Sequence, residues 1–151
     1  MYENSNLICD GGIYHLQSGI YIIKNLDLKK VYVGRSDNMP DRFKKHRVSL
    51  YANEHPNRLL QADFNKGYKL MFVCLHDFKS DPTDIDKRII ELLYMYHFIN
   101  KGFEIYNFND KKGKTKQEQK NYIANQVTNK FVYYGGVASR IYRHYNDDSI
   151  I

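Results

Sequence analysis

Two β-rich stretches separated by a short polar segment constrain this chain more than any other feature of its sequence. SGIYIIKN and KKVYVGRS occupy residues 18–25 and 29–36, and Asn25 to Lys29 form the polar turn between them. β-branched and aromatic residues favour strands, and a short polar connection between two such runs favours an antiparallel pair. The sequence therefore predicts a β-hairpin over residues 19–34.

Two helices and a further strand are predicted after the hairpin. The first helix is expected over residues 39–51, with Asp37 as its N-cap and Pro40 in its first turn. A second is expected over residues 56–66, where Gly67 ends it. Residues 68–76 contain the apolar run LMFVCL, which is typical of a buried strand.

The strongest helical pattern lies between Asp81, an N-cap candidate, and Gly102. Pro82 fits the first helical position. Apolar residues then recur at intervals of three and four, which places them on one face of a helix. These residues are Ile85, Ile89, Leu92, Tyr96 and Ile99.

The C-terminal part of the sequence is less regular. Short strands are predicted at 104–108 and 131–134, and helices at 116–129 and 137–145. Together the predicted elements indicate an α+β fold, in which helices flank a small, mainly antiparallel central sheet formed by the hairpin and a third strand.

The composition narrows the class of protein. The chain is 42% hydrophobic and 26% charged, which is typical of a folded domain. We expect a cytoplasmic protein, since two cysteines provide no disulfide framework and the N-terminus lacks the pattern of a signal peptide. No apolar run is long enough to span a membrane. The net charge of +6 suggests a polyanionic partner such as nucleic acid, although a solvated basic surface would have the same charge.

Two tyrosines of the hairpin form a candidate site. A turn centred on Leu26 and Asp27 places Tyr21 opposite Tyr32 on one face of the sheet. A cross-strand aromatic pair also stabilises sheets that carry no site. The residues that follow in the sequence favour a site, because Arg42 and His46 are four residues apart and share a helical face.

The ordered set of motifs resembles the GIY-YIG nuclease superfamily. Gly19-Ile20-Tyr21 is followed by Tyr32-Val33-Gly34, then by the arginine and histidine on the next helix, and later by Glu91 and Asn107. His55, with Leu60-Gln61 after it, is similar to the phage homing-nuclease branch. The resemblance covers about residues 18–109 and implies a central three-stranded sheet.

This resemblance implies metal-dependent hydrolysis of phosphodiester bonds in DNA. Glu91 is expected to hold one Mg²⁺ or Mn²⁺ ion per active site, since Mg²⁺ needs only one or two carboxylates. Arg42 is expected to bind the scissile phosphate through its planar guanidinium. Tyr32 is expected to orient the phosphate or Tyr21, and Asn107 to support the site by hydrogen bonding.

The identity of the general base is open at this point. The resemblance implies Tyr21, whose phenol needs a nearby arginine or metal ion to lower its pKa. His46 and His55 are alternatives, because an unperturbed imidazole titrates close to neutral pH.

Three classes of function are compared. The first is a DNA endonuclease, either site-specific and of restriction or homing type or, as the alternative, nonspecific or structure-specific. A non-catalytic nucleic-acid-binding module has no need of the tyrosine, arginine and glutamate together, and a repair scaffold would need a zinc domain that two cysteines cannot build. A homodimer is plausible, because one active site cuts one strand.

Basic residues outside the catalytic set are candidates for DNA binding. Lys44, Lys45 and Arg47 lie on the first predicted helix and are expected to contact flanking phosphates. Arg140 and Arg143 share a face of the predicted C-terminal helix, which either contacts DNA or packs on the core. We divide the chain into an N-terminal extension (1–17), a nuclease core (18–109) and a C-terminal extension (110–151).

Overall fold

The described part of the chain forms one mixed β-sheet with α-helices on both faces. A computed structural model describes residues 7–9, 18–78, 82–108 and 115–134. The strands are β1 (Leu7–Cys9), β2 (Gly19–Asn25), β3 (Lys30–Ser36), β4 (Leu70–Asp77) and β5 (Glu104–Ile105). The helices are α1 (Met39–Tyr51), α2 (Arg58–Asn65), α3 (Asp84–Asn100) and α4 (Lys116–Tyr134), and Tyr106–Phe108 forms a 3₁₀ turn.

The sheet has the strand order β1-β4-β2-β3-β5. Its centre agrees with the expectation, because β2 pairs antiparallel with both β3 and β4. The expectation of a mainly antiparallel sheet is nevertheless wrong, because both edges, β1 with β4 and β3 with β5, are parallel pairs. The edge strands have three and two residues, too few to show the alternation by which a strand is recognised in a sequence.

The hairpin forms with a register different from the predicted one. Tyr21 pairs with Gly34, and Tyr32 pairs with Ile23. The pairing is therefore displaced by two residues, and the prediction that the tyrosines lie directly opposite each other is wrong. A displacement of two residues keeps every side chain on its face of the sheet, because side chains alternate with a period of two. The tyrosine rings consequently still meet, with centroids 6.3 Å apart.

Strand β2 is buried on both faces, which explains its almost continuous apolar sequence. On one face, Ile20 and Ile22 pack in a cluster with Ile89 and Phe98 of α3 and with Ile123 of α4. On the other face, the cluster is built by residues of β2, α1, α2 and β4. The members of this second cluster include Tyr21, Ile23, Phe43, Leu60 and Phe72.

The helices lie close to their predicted positions, but their N-caps differ. The cap of α1 is Asn38 rather than Asp37, and its Oδ1 accepts a hydrogen bond from the Asp41 backbone N–H at 3.1 Å. The cap of α3 is Thr83, and the predicted cap Asp81 lies outside the described residues. Both helices therefore begin with side-chain capping of the expected chemical type.

The C-terminal segment contains one long helix in its described part. Helix α4 continues to Tyr134, so the predicted strand at 131–134 is wrong. Ile123 and Val127 pack this helix on the core, and its continuation overrides the local strand propensity. The predicted helix at 137–145, with Arg140 and Arg143, lies outside the described residues. Among the helices that the structure describes, none has the length and apolarity needed to cross a membrane.

Candidate active site

Tyr21 lies under α1, on the face of the sheet that α1 and α2 cover. Its ring stacks on Phe72 of the neighbouring strand with a centroid distance of 4.5 Å and an interplanar angle of 12°. It also passes over Gly34, its partner in the hairpin, and a Cβ at Gly34 would overlap the Tyr21 phenol. Gly34 therefore provides the space in which the phenol reaches α1.

Arg42 and His46 project from α1 toward the Tyr21 hydroxyl. They are one helical turn apart, so both side chains lie on the same face of α1. Nε of Arg42 donates a hydrogen bond to the Tyr21 oxygen at 3.0 Å, and His46 Nε2 lies 2.7 Å from the same oxygen. The structure thus brings together three of the residues that the sequence predicts.

A chain of hydrogen bonds extends from Tyr21 through both predicted histidines. His46 Nδ1 lies 2.8 Å from His55 Nε2, and His55 Nδ1 accepts a hydrogen bond from the backbone N–H of Asn57 at 3.0 Å. The two imidazole rings are stacked with centroids 5.1 Å apart. His46 and His55 are buried, and so is the whole of Tyr21.

The Asn57 backbone amide fixes the direction of this chain. Because a backbone N–H can only donate, Nδ1 of His55 is unprotonated, and the proton of the neutral ring is on Nε2. His55 Nε2 therefore donates to His46 Nδ1, which places the His46 proton on Nε2, where it donates to Tyr21. The Tyr21 oxygen accordingly accepts two hydrogen bonds, from His46 and from Arg42.

The pKa values of both histidines agree with neutral rings. Burial, followed by the charge of Arg42 and by His55, lowers the pKa of His46 to about 3. Burial also lowers the pKa of His55. A proton added to His55 would place an N–H at Nδ1, opposite the Asn57 N–H. A proton added to His46 would place an N–H at Nδ1, opposite the N–H of His55 Nε2. Because two donors would then face each other, the hydrogen-bond chain disfavours both charged forms.

Tyr21 and Arg42 influence each other's ionisation. Burial raises the pKa of Tyr21, the neighbouring Tyr32 raises it further, and the hydrogen bond and charge of Arg42 act in the opposite direction. For Arg42, burial lowers the pKa, but the interactions with Tyr21 and Tyr32 outweigh it and the net shift is upward. In this arrangement Tyr21 is a neutral phenol at neutral pH, and Arg42 is charged.

An open cleft of about 250 Å³ lies beside this hydrogen-bond chain. Its polar lining is supplied by residues of β3, α1, the α1–α2 connection and the 3₁₀ turn. The lining residues are Tyr32, Arg42, His46, His55, Pro56, Asn57 and Asn107. Tyr21 is not among them and has no exposed surface, whereas its hydrogen-bond partners Arg42 and His46 both line the cleft.

Comparison with protein families identifies the domain that holds these residues. The model of the GIY-YIG catalytic domain matches residues 17–95, which is more than half of the chain. The chain belongs to the GIY-YIG family. Comparisons with curated proteins and with solved structures gave no significant match.

The matched region of this GIY-YIG nuclease contains most of the predicted site. Tyr21, Tyr32 and Arg42 lie within it, together with the two histidines and Glu91. Asn107 lies beyond its C-terminal end. The Asn107 side chain forms two hydrogen bonds with the backbone of Val33, accepting from its N–H at 2.9 Å and donating to its C=O at 2.7 Å. Asn107 thus pairs with β3 just as a neighbouring strand would, which agrees with a supporting role.

Glu91 is buried on α3, and two arginines hold its carboxylate. Arg88 donates a hydrogen bond to Oε1, and Nε of Arg35 lies 3.9 Å from Oε2, beyond hydrogen-bond distance. Burial raises the pKa of Glu91 above its ordinary value, and the charges of Arg88, Arg35 and Arg42 offset this rise only in part. The charge of Glu91 in turn contributes to raising the pKa of Tyr21. The electrostatics of Glu91 and of the tyrosine site are therefore coupled.

Glu91 offers a divalent cation one carboxylate. In the described ranges, no group of three or more histidine, cysteine or acidic side chains could hold a metal ion. Mg²⁺ is commonly held by one or two carboxylates, with waters and substrate phosphate oxygens completing the octahedron. Glu91, whose Oε2 makes only a long ion pair with Arg35, fits such a site.

Four residues of this environment were not predicted as site residues. Asn57 orients the histidines, and Gln61 accepts a hydrogen bond from the His55 backbone N–H at 3.0 Å. Arg35 and Arg88 hold Glu91. Arg88 lies three residues before Glu91, a spacing that indicates a helical ion pair, whereas nothing local to the sequence indicates the other three contacts.

The predicted DNA-binding residues of α1 have different environments. Lys45 forms an ion pair with Asp41 at 3.0 Å and, like Lys44, is exposed. The Arg47 guanidinium lies over the Phe43 ring, 5.7 Å from its centroid. Their role in DNA binding stays a prediction, as does that of Arg140 and Arg143.

Proposed function

We propose that this GIY-YIG nuclease is a DNA endonuclease that depends on a divalent metal ion and cleaves at preferred sites. Membership of the family supports endonuclease activity. The net charge of +6 and the exposed lysines of α1 favour a polyanionic substrate such as DNA. The alternative is nonspecific or structure-specific cleavage, which differs from site-preferring cleavage in the positions of the cuts along the DNA.

Tyr21 is the general base in this proposal, and the direction of the hydrogen-bond chain is the observation that carries it. His46 and His55 each use one nitrogen as donor and the other as acceptor, so neither has a lone pair left to accept a proton from water. The Tyr21 oxygen accepts from His46 and Arg42, and both hydrogen bonds favour a phenolate.

Arg42 is both the phosphate ligand and the cover of Tyr21. The Tyr21 side chain has no exposed surface, whereas Arg42 lines the cleft. When a phosphate enters the cleft, Arg42 turns toward it and leaves the Tyr21 hydroxyl accessible to the attacking water. A guanidinium suits this role because its fork can pair two phosphate oxygens and it stays charged.

Glu91 holds the divalent cation, Mg²⁺ or Mn²⁺, one per active site. When bound, the cation neutralises charge on the phosphate and polarises its oxygens. Ion binding at Glu91 also offsets the negative charge that raises the pKa of Tyr21. The charges of Arg88 and Arg35 favour the ionised carboxylate that a cation needs, although burial outweighs them and the pKa of Glu91 is raised overall.

Double-strand cleavage would require two active sites. Each chain carries one tyrosine site, so cutting both strands takes a homodimer or two successive binding events. The first route converts supercoiled plasmid directly to linear DNA, whereas the second passes through an open-circular product. The order in which linear and open-circular plasmid appear therefore indicates whether one or two protein subunits act in each cleavage event.

The test is digestion of supercoiled plasmid with Mg²⁺, with Mn²⁺ and with EDTA, followed by mapping of the cut ends. The wild-type protein is expected to cut with either ion and not with EDTA. Tyr21→Phe removes the base and should lower the rate by about 10²- to 10⁴-fold. Tyr51→Phe, a change on the exposed side of α1, serves as the matched control and should cleave normally.

The pH dependence of cleavage separates the two kinds of base. A phenol base predicts a rate that continues to increase above pH 8, because deprotonation of the phenol lies above neutral pH. A histidine base predicts a rate that has already reached its plateau at neutral pH, because burial lowers the pKa of both histidines. Cleavage in EDTA would refute the metal requirement, and a plateau together with near-normal activity of Tyr21→Phe would refute the base assignment.

A further inference from the structure

A second cavity, of about 270 Å³, lies between α3, the 3₁₀ turn and α4. Three of its residues, Arg88, Leu92 and Met95, follow one another at helical spacing on α3. The 3₁₀ turn supplies Asn107 and Phe108, and α4 supplies Tyr122. The matched region of the family ends at residue 95, so half of this lining lies outside it.

The lining of this cavity combines apolar, aromatic and planar polar groups. Leu92, Met95 and Phe108 are buried and form an apolar surface. The Tyr122 ring stands perpendicular to that of Phe108, with centroids 6.0 Å apart. Arg88 adds a guanidinium. This mixture suits a flat heteroaromatic group, which can stack on rings and guanidinium planes and hydrogen-bond at its edge.

Asn107 can supply such a hydrogen bond without giving up its support of β3. A side-chain amide has two N–H donors and two oxygen lone pairs, and Val33 uses one of each. One donor and one acceptor therefore remain for a ligand. The volume, below the roughly 300–1,000 Å³ typical of drug-sized ligands, fits a single ring system.

The cavity adjoins the catalytic groups on two sides. Asn107 lines both this cavity and the cleft that contains Arg42. Arg88 lines the cavity and binds Glu91. The cavity and the cleft proposed to hold the phosphate therefore share a wall at Asn107.

We infer that this cavity, which we call the α3–α4 pocket, receives one unpaired nucleobase next to the scissile phosphate. The inference rests on the proposed function. A base inside a duplex is stacked on both sides, so the enzyme acts on DNA in which that base is unpaired or is extruded on binding. The pocket thus adds a preference for locally opened DNA, at a position set by its distance from Arg42.

The experiment compares two oligonucleotides that differ only in their bases. One is single-stranded DNA of mixed sequence, about 12 nucleotides long, and the other has the same backbone with abasic sites throughout. Binding is measured by anisotropy in EDTA at fixed salt, so that phosphate contacts are equal and cleavage is absent. The wild-type protein should bind the base-containing strand about 5-fold or more tightly, as one stacked base predicts.

Two variants locate the difference. Tyr122→Leu keeps an apolar side chain on α4 but removes the ring. This variant should bind the base-containing strand no more tightly than the abasic strand. Tyr51→Leu removes an exposed tyrosine from α1, away from the pocket, and should preserve the difference. Thermal unfolding of both variants checks that α4 stays packed.

Tyr122→Trp gives a second readout that does not need a loss of binding. The chain has no tryptophan, so this variant carries a single indole whose emission reports a stacked base. Quenching by the base-containing strand and not by the abasic strand supports the pocket. Equal affinities for the two strands, or equal quenching, overturns it.

The outcomes also separate this inference from the proposed function. Metal-dependent plasmid cleavage together with equal affinities for the two oligonucleotides means that the nuclease assignment stands and the base pocket is wrong. Absence of both cleavage and DNA binding overturns both. A base-dependent affinity without cleavage retains the pocket and rejects the catalytic proposal.

Discussion

Gly34 pairs with Tyr21 across the hairpin, and the missing side chain of Gly34 is what allows the Tyr21 phenol to lie over β3 and reach Arg42 and His46. The two residues come from different motifs in the sequence, Gly-Ile-Tyr and Tyr-Val-Gly. Their relationship is steric: the glycine of the second motif makes room for the tyrosine of the first.

Gly34→Ala adds only one methyl group but should displace the Tyr21 phenol from its position in the site. The added methyl group overlaps the Tyr21 ring, and we expect a loss of about 1–3 kcal/mol in the free energy of unfolding. Plasmid cleavage per folded molecule should fall at least about 10-fold, because the phenol can no longer meet its two donors.

Gly102→Ala is the control for Gly34→Ala. Gly102 has a positive φ of 87° and lies after α3, so alanine there costs about 1 kcal/mol in strain without touching the tyrosine site. The Gly102→Ala variant should have a lower free energy of unfolding, measured by urea titration, and should cleave plasmid at the normal rate. Normal cleavage by Gly34→Ala as well would show that the position of the phenol is not critical.

Arg42→Lys should keep the charge of the site and lose most of its activity. The Nε–H that bonds to Tyr21 and the planar fork for phosphate are both absent from lysine. We expect kcat to fall roughly 100-fold with little change in KM, since the lost contacts act mainly in the transition state. Arg58→Lys on the exposed side of α2 is the matched control. Equal kcat in the two variants would mean that charge alone is required.

Asn107→Asp should destabilise the protein, because the carboxylate presents an acceptor to the Val33 carbonyl in place of the donor. The expected loss is about 1–3 kcal/mol, which corresponds to a decrease in Tm of several degrees for a chain of this size. Asn65→Asp, an exposed amide on α2, is the control and should change Tm little. Differential scanning fluorimetry measures both, and identical Tm values would contradict the structural role of Asn107.

The stability of the protein should decrease as the pH falls below about 6.5. The pKa of His46 is about 3 in the folded protein, against an ordinary value of 6.5 in the unfolded chain. Between these values the unfolded state binds a proton that the folded state does not, so lowering the pH favours unfolding. The contribution of His46 is fully present above pH 6.5 and is lost progressively toward pH 3, by about 1.4 kcal/mol per pH unit at most.

His46→Gln provides the comparison for this pH dependence. The variant is expected to be less stable at pH 7, but its free energy of unfolding should fall less steeply between pH 6.5 and pH 4.5. Urea unfolding at several pH values measures the slope. A slope unchanged by the substitution would show that His46 is not the group that resists protonation.

The sequence by itself determined much of the local structure and the kind of site. The β-propensity of residues 19–34 predicted the hairpin, and the apolar periodicity with its flanking Gly102 predicted α3. These features are readable because they depend on neighbours in the chain. The ordered motifs likewise predicted the family before any coordinates, and Tyr21, Arg42 and His46 do meet.

Only the tertiary structure decided the register of the hairpin, the parallel edges of the sheet and the protonation of the site. The observed register places the Tyr21 ring over Gly34, and β2 pairs with β4 on its other edge, which is a long-range contact. The tautomers of His46 and His55 follow from one backbone amide, that of Asn57, whose direction depends on how the chain enters α2. Such relations have no signal in the sequence, because they arise between residues that only folding brings together.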